Sequence, residues 1–259
     1  ADRKRPDRAP KPLLPADVVT GAHAAEALAR LQPERVREVF LWSEEPRLRA
    51  RVLALAAAHQ LRVVDRPPPG LADEGPNPQG VAVRVTPFRY ADLDSLVPVQ
   101  GARPGTLVLV LDSITDPRNL GAILRSAAFF EATCVVLPTD RAAEVTPLVE
   151  RIAEGGSAAV PVVQVVNLAR TLATLRERGV QCVGTVLDGA QGDLRAHPWP
   201  QATALVLGAE GVGIRPLVRK SCDVLLGMAG PAAMPSLNVA AFATLALAWA
   251  RGGATPDRA

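Results

Sequence analysis

Histidine, cysteine and lysine each occur only three times in this chain of 259 residues, and aromatic residues make up 3 % of it. The cysteines (Cys134, Cys182, Cys222) are scattered with no CxxC pair, and the histidines (His23, His59, His197) gather nowhere. Zinc and related metals take His and Cys ligands at short, paired spacings, so no metal site is expected. Each cysteine lies in or beside an apolar run, which suits buried, reduced thiols in a cytoplasmic protein. No stretch reaches the roughly 20 apolar residues of a membrane span, and the first residues are polar rather than signal-like. A soluble, cytoplasmic protein is expected. Three common site signatures are also missing: a GxGxxG loop after an early strand, a GxxxxGK[ST] loop and a GxSxG elbow. A standard Rossmann cofactor site, a P-loop nucleotidase and an α/β-hydrolase are thereby disfavoured.

Apolar residues, by contrast, reach 48 %, enough for a core in one large or two modest domains. The formal net charge is +3 and the basic residues are nearly all arginine. That leans toward a polyanionic partner, because the planar guanidinium suits phosphate.

Residues 1–16 hold Arg3, Lys4, Arg5, Arg8 and Lys11 among prolines and are expected to form a basic, disordered arm. Residues 17–88 read as a small β-α-β-α-β unit. Helices are predicted at His23–Leu31 and Pro46–His59, and strands at Val36–Trp42, Leu61–Val64 and Gly80–Val85. Residues 89–105 lose all periodicity among Asp92, Asp94, Pro98, Gly101, Pro104 and Gly105 and are expected to be a linker. A large domain follows over 106–251, with residues 252–259 as a tail. Its predicted strands are Leu107–Leu111, Cys134–Leu137, Val160–Val163, Cys182–Val186, Ala204–Leu207 and Val224–Leu226. Its predicted helices are Asn119–Phe130, Pro147–Glu154, Leu168–Arg178, Pro216–Ser221 and Val239–Arg251. Near-continuous aliphatic strands between helices imply an α/β fold, a mostly parallel sheet with helices on both faces.

Three polar clusters stand where strands end in this domain. The first is Asp116-Pro-Arg-Asn119-Leu-Gly121-Ala-Ile-Leu-Arg125-Ser-Ala. Asp116 or Asn119 can cap its helix, with Pro117 tolerated in the first turn. Arg125 is off the apolar stripe, on a face of Gly, Ala and Ser that lets a ligand or another chain approach closely. The second is Gly208-Ala-Glu210-Gly-Val-Gly213, whose glycines open the backbone where parallel sheets bind ligands. The third is Ser236-Leu237-Asn238-Val239, where Asn238 can cap the last helix. Singly, each has an ordinary structural explanation; together, in one domain, they point to a site.

In order and spacing these three motifs resemble those of the SpoU/TrmH family of RNA 2′-O-ribose methyltransferases, over about residues 106–251. The front region, Gly21-Ala-His23-Ala-Ala-Glu26-Ala-Leu28 with Val36-Arg-Glu-Val-Phe, resembles the small ribosomal-protein-like RNA-binding domain of the subgroup that modifies 23S rRNA guanosine. The resemblance implies a SPOUT fold, in which the carboxyl-terminal part of the parallel sheet threads a trefoil knot. It also implies a homodimer, S-adenosyl-L-methionine as cofactor and structured RNA as substrate, ribosomal RNA before transfer RNA. Carried over by position, Gly208, Met228 and Leu237 would contact the cofactor, while Asn119, Arg125, Glu210, Ser236 and Asn238 would form the catalytic surface. The family's usual Ile-Pro-Met and following glycine are replaced here by Met228-Ala-Gly230 and Ala232, with Pro235 ahead of Ser236. A glutamate frequent in the family is replaced by Ala158. A permanently protonated arginine is a poor base. The expected role of Arg125 is therefore to bind a flanking phosphate and orient the hydroxyl, with Ser236, Asn238 or water taking the proton. The alternatives are a transfer RNA methyltransferase, or a non-catalytic RNA-binding or ribosome-assembly protein on the same scaffold. The helix from Val239, uncharged over its first twelve residues, is expected to be buried against the sheet and a second subunit.

Overall fold

A computed structural model describes residues 15–71, 79–228, 230–231 and 236–253. Nearly all of the expected basic arm, most of the tail, and Ala229, Ala232 and Pro235 fall outside the described residues. The chain divides into two compact units, Ala1–Pro87 and Phe88–Ala259.

The first unit runs β1 (Val18–Thr20), α1 (Ala22–Leu31), β2 (Val36–Leu41), α2 (Pro46–Ala58), β3 (Val63–Val64) and β4 (Val81–Val85). Its sheet has the order β1-β4-β2-β3, with β4 antiparallel to both neighbours and β3 parallel to β2. Strand β1, with only three residues, is too short to show a period, yet all three are buried. The alanine-rich face of α1 and Leu48, Val52 and Ala56 of α2 are buried.

The second unit begins with α3 (Leu93–Leu96), β5 (Thr106–Asp112), α4 (Pro117–Phe129), β6 (Cys134–Pro138), α5 (Pro147–Ile152) and α6 (Gly156–Ala159). It continues with β7 (Val162–Val165), α7 (Leu168–Glu177), β8 (Gln181–Thr185), β9 (Gly192–Asp193) and β10 (Ala202–Gly208). It ends with α8 (Pro216–Lys220), β11 (Val224–Gly227) and α9 (Val239–Gly253). All seven strands are parallel, in the order β7-β6-β5-β10-β8-β11-β9. Alternate strand residues feed two cores. Leu107, Leu109, Leu111, Leu205 and Leu207 pack with Leu120, Ile123 and Leu124 of α4, Val149 of α5, and Ala243 and Leu247 of α9. On the other face Val108, Val110, Val136 and Val206 meet Leu168, Leu172 and Leu175 of α7 and Val218 of α8. Each buried leucine contributes about 1.5–3 kcal/mol relative to exposure. The central strands β5 and β10 are adjacent, and the chain leaves them in opposite directions, toward β6 and toward β11. A crevice at such a reversal, beyond the carboxyl ends of the strands, is where open α/β sheets bind ligands.

The expected linker is a correction. Residues 89–105 belong to the second unit: Ala91 bridges to Val163, and Leu93 and Leu96 of α3 pack beside fully buried Val97 on the α7 core. Arg178 fastens the segment, donating to the Val97 carbonyl at 2.6 Å and to Asp94 Oδ1 at 2.5 Å. A guanidinium 84 residues away in sequence holds this stretch, and no local pattern records that. Elsewhere α4 starts at Pro117, capped by Asp116, which accepts from Arg118 N at 2.8 Å. Elements α6 and β9, of four and two residues, are below the length at which periodicity can be read.

Candidate active site

Helices α4 and α9 lie side by side with their amino-terminal ends together. At that end Asn238 Nδ2 donates to Asn119 Oδ1 at 3.0 Å. Midway, Ser126 and Thr244 share a hydroxyl hydrogen bond of 2.7 Å; at the far end Arg251 Nε donates to the Phe130 carbonyl at 2.9 Å. Both helices thus bring their positive dipole ends to the carboxyl edge of β5 and β10, with first-turn N–H groups capped by Asp116, Glu210 and Asn238.

The loop after β10 closes on this point. Gly211 and Gly213 take left-handed φ values of 77° and 69°, and Gly213 N donates to the Ala209 carbonyl at 2.8 Å. The loop folds back directly onto Gly208, where an added Cβ would lie 2.1 Å from the Gly213 carbonyl carbon. Only glycine fits there. Glu210, at the loop's apex, accepts through Oε1 from Asn238 Nδ2 and from Val239 N, both at 2.9 Å. Asn238 Oδ1 meanwhile caps α9, accepting from Ala240 N at 3.0 Å. Asn119, Glu210 and Asn238 therefore form one hydrogen-bonded cluster, its members drawn from all three motifs. Capping and site-building are not alternatives for Asn238, whose two ends do both.

Arg125 stands apart from this cluster. Its Nη1 pairs with Glu154 Oε2 at 2.8 Å, and its side chain is 60 % exposed. Glu154 and Gly155 both have positive φ, 46° and 96°, and α6 begins so close to α4 that a Cβ on Gly156 would sit 2.7 Å from Arg125 Cα. Sequence reasoning missed Glu154; the Gly155-Gly156 pair beside it was the available signal. The small-residue face of α4 is also accounted for differently than expected. Gly121 is filled by α5, with Ile152 2.7 Å from where its Cβ would be, and Ser126 by α9.

Next to the cluster lies a cavity of about 420 Å³. Three groups of residues wall it: Thr185–Asp188 at the end of β8, Gly208–Ile214 after β10, and Met228, Gly230, Pro231, Ser236 and Leu237, closed by Phe242 of α9. Gly208, Met228 and Leu237, the expected cofactor contacts, all line it, as do Glu210, Ser236 and Gly230. The Thr185–Asp188 wall and Arg219 were not anticipated; the carboxyl-terminal end of a central strand was the signal for the former. Volume and lining suit a small organic molecule with an apolar body. Val186, Ile214, Met228 and Phe242 offer apolar contact, and the Cβ-free backbone at Gly208 admits close approach. That is the chemistry required by an adenosyl group bearing a sulfonium.

Other chemistries find little support. Burial pushes the thiols of Cys134, Cys182 and Cys222 up to about 12, so none is a ready thiolate. Among the described residues no three His, Cys, Asp or Glu side chains are grouped as a metal would need, and no helix is long and apolar enough to cross a membrane.

Comparison with known proteins converges on the same segment. The family described as SpoU rRNA methylase matches residues 106–248. A 23S rRNA (guanosine-2′-O-)-methyltransferase RlmB of Pseudomonas putida is 38 % identical over 226 residues, covering 85 % of this chain and 90 % of that protein. The protein of the same name from Escherichia coli K12 is 35 % identical, covering 86 % and 93 %. Among solved structures, the SpoU methyltransferase AviRb from Streptomyces viridochromogenes in complex with AdoMet superposes with a TM-score of 0.73. That match has 25 % identity and covers 91 % of this chain and 89 % of that one.

Proposed function

Because the chain belongs to the SpoU rRNA methylase family, we propose that it methylates a ribose 2′-oxygen of 23S rRNA with S-adenosyl-L-methionine. The observation that carries this reading is the junction of the glycine-walled cavity with the Asn119–Asn238–Glu210 cluster at the β5/β10 crevice. The relatives' names favour ribosomal over transfer RNA, and favour an enzyme over a non-catalytic assembly protein.

The cofactor, when bound, supplies a methyl group already activated on a sulfonium. The protein's task is then to hold the hydroxyl in line with that methyl and to remove its proton. Arg125 is suited to the first part. An exposed ion pair is worth about 0–1 kcal/mol, so an RNA phosphate can take the place of Glu154 on the guanidinium at little cost. Asn238 is not suited to the second. Its amide nitrogen is not basic, and its oxygen is engaged by the α9 backbone. The proton therefore leaves through Ser236 or water, with Glu210 the carboxylate of the cluster that can receive it. Calorimetric titration of the full chain with S-adenosyl-L-methionine should give one site per chain; no heat of binding would remove this reading.

Three finer features belong to the same proposal. Met228, Gly230, Ser236 and Leu237 share one cavity with the Gly208–Gly213 loop, which supports reading this part of the domain as the trefoil knot of the SPOUT fold, a topology rare among proteins. The first unit is read as the ribosomal-protein-like domain that grips the RNA. The third feature is a homodimer formed through α4 and α9. Ala241 and Leu245 lie exposed on α9, and Phe129 at the end of α4 is 80 % exposed. Apolar groups left on paired helices favour a second copy. Sedimentation at micromolar concentration should show twice the 27.2 kDa chain mass; a single chain would exclude the dimer.

A further inference from the structure

We infer that α8 is a brace that sets two walls of the cavity, with Asp112 and Arg219 as the positioning residues at its two ends. The inference rests on the cavity being the cofactor site. Asp112 closes β5, has no exposed surface and stands in register opposite Gly208 of β10. Burying a carboxylate is costly unless its oxygens are fully engaged. Here Oδ2 accepts from Arg215 N at 2.8 Å, while Oδ1 accepts from Arg215 Nε at 2.6 Å and from Ser113 Oγ at 3.2 Å. Arg215 directly follows the Gly208–Ile214 wall and is the N-cap of α8. One carboxylate thus fixes both the backbone and the side chain of the residue that ends that wall.

At the other end of the same short helix, Arg219 Nη2 donates to the Asp188 carbonyl at 3.0 Å. It also packs against Gly189, φ 70°, where an added Cβ would be 2.8 Å from Nη2. Asp188 belongs to the Thr185–Asp188 wall. The loops after β8 and β10 are therefore both fastened to α8, and α8 is fastened to β5 through Asp112. Asp112 lies outside the cavity lining and Arg219 is part of it, but neither is given a role in orienting the hydroxyl or removing its proton. Their contribution is to hold the walls at the spacing a ligand needs before it arrives, which lowers the ordering cost of binding.

The test uses Arg219→Met, Asp112→Asn and the double variant in the full chain. Arg219→Met loses one charge-assisted hydrogen bond and should weaken S-adenosyl-L-methionine binding about tenfold. Asp112→Asn should weaken it at least as much, and the double variant should fall short of the product of the two losses, because both act through one helix. In Asp112→Asn, whose altered side chain lies outside the cavity lining, turnover at saturating cofactor and affinity for 23S rRNA should stay within about twofold of wild type, a KM effect without a kcat effect. In cofactor-free Arg219→Met, backbone amides of residues 186–190 should exchange hydrogen faster than in wild type. Unchanged exchange there, or wild-type cofactor affinity in Arg219→Met, would overturn the brace, and neither readout depends on Asp112→Asn folding. If the wild-type chain itself bound no cofactor, the proposed function would fall, while the exchange measurement would still decide the brace.

Discussion

Arg125→Ala is expected to abolish methyl transfer while leaving S-adenosyl-L-methionine affinity and melting temperature close to wild type. The side chain is 60 % exposed, does not line the cavity, and is paired with a carboxylate that is itself 42 % exposed. Such a pair contributes about 0–1 kcal/mol to stability, so its loss leaves the fold intact. What disappears is the guanidinium fork that places the RNA backbone. Misplacing the attacking oxygen by about 1 Å can cost 10²-fold in rate. Arg125→Lys should recover little, since an ammonium cannot make the planar two-bond contact with phosphate. RNA binding by Arg125→Ala should also lose about one phosphate contact from its salt dependence. Rates measured with purified rRNA and labelled cofactor, beside a thermal melt, decide the matter. Full activity would reduce Arg125 to an ordinary surface residue.

Gly208→Ala should be nearly as damaging, for the opposite reason. It should eliminate measurable cofactor binding and leave RNA affinity in place. The new methyl would stand 2.1–2.3 Å from the backbone of Gly213 and Ile214, closer than any real Cβ contact. The obstacle is backbone rather than a flexible side-chain tip, so the whole Gly208–Ile214 loop must move outward. Overpacking of this kind costs about 1–3 kcal/mol and should show as a modest fall in melting temperature. Gly211→Ala is the control: open space surrounds that position, and only its φ of 77° opposes a side chain. It should cost about 1–2 kcal/mol for the left-handed conformation and keep most of the cofactor affinity. Calorimetric titration of both variants separates the two effects. Wild-type affinity in Gly208→Ala would mean that the loop does not shape the cofactor site.

The sequence was most legible where a pattern was local. Five- to seven-residue aliphatic runs such as Thr106–Asp112 and Ala202–Gly208 marked the central strands. The glycines of 208–213 marked the loop, and three short polar motifs marked the crevice. It was least legible where two distant charges find each other. Asp112 meets Arg215 across 103 residues, and Asp94 meets Arg178 across 84. Neither acid sits in a pattern that announces a partner, so the first was passed over and the second was read as part of a linker. Arg125 shows the intermediate case. Its isolation on α4 was evident, but the Glu154 opposite it depends on a left-handed turn that sequence alone does not impose. The small residues around Arg125 were taken as room for a ligand, whereas Gly121 and Ser126 make room for α5 and α9. Small residues on a helix signal close approach, without saying by what.

The most direct test of the proposed chemistry is to incubate the purified chain with methyl-labelled S-adenosyl-L-methionine and unmodified 23S rRNA, then digest the RNA to nucleosides. Label is expected in a single 2′-O-methylated nucleoside, at about one methyl per rRNA molecule, as positioning of one ribose requires. Label found on a base, or no transfer from a cofactor that demonstrably binds, would contradict it.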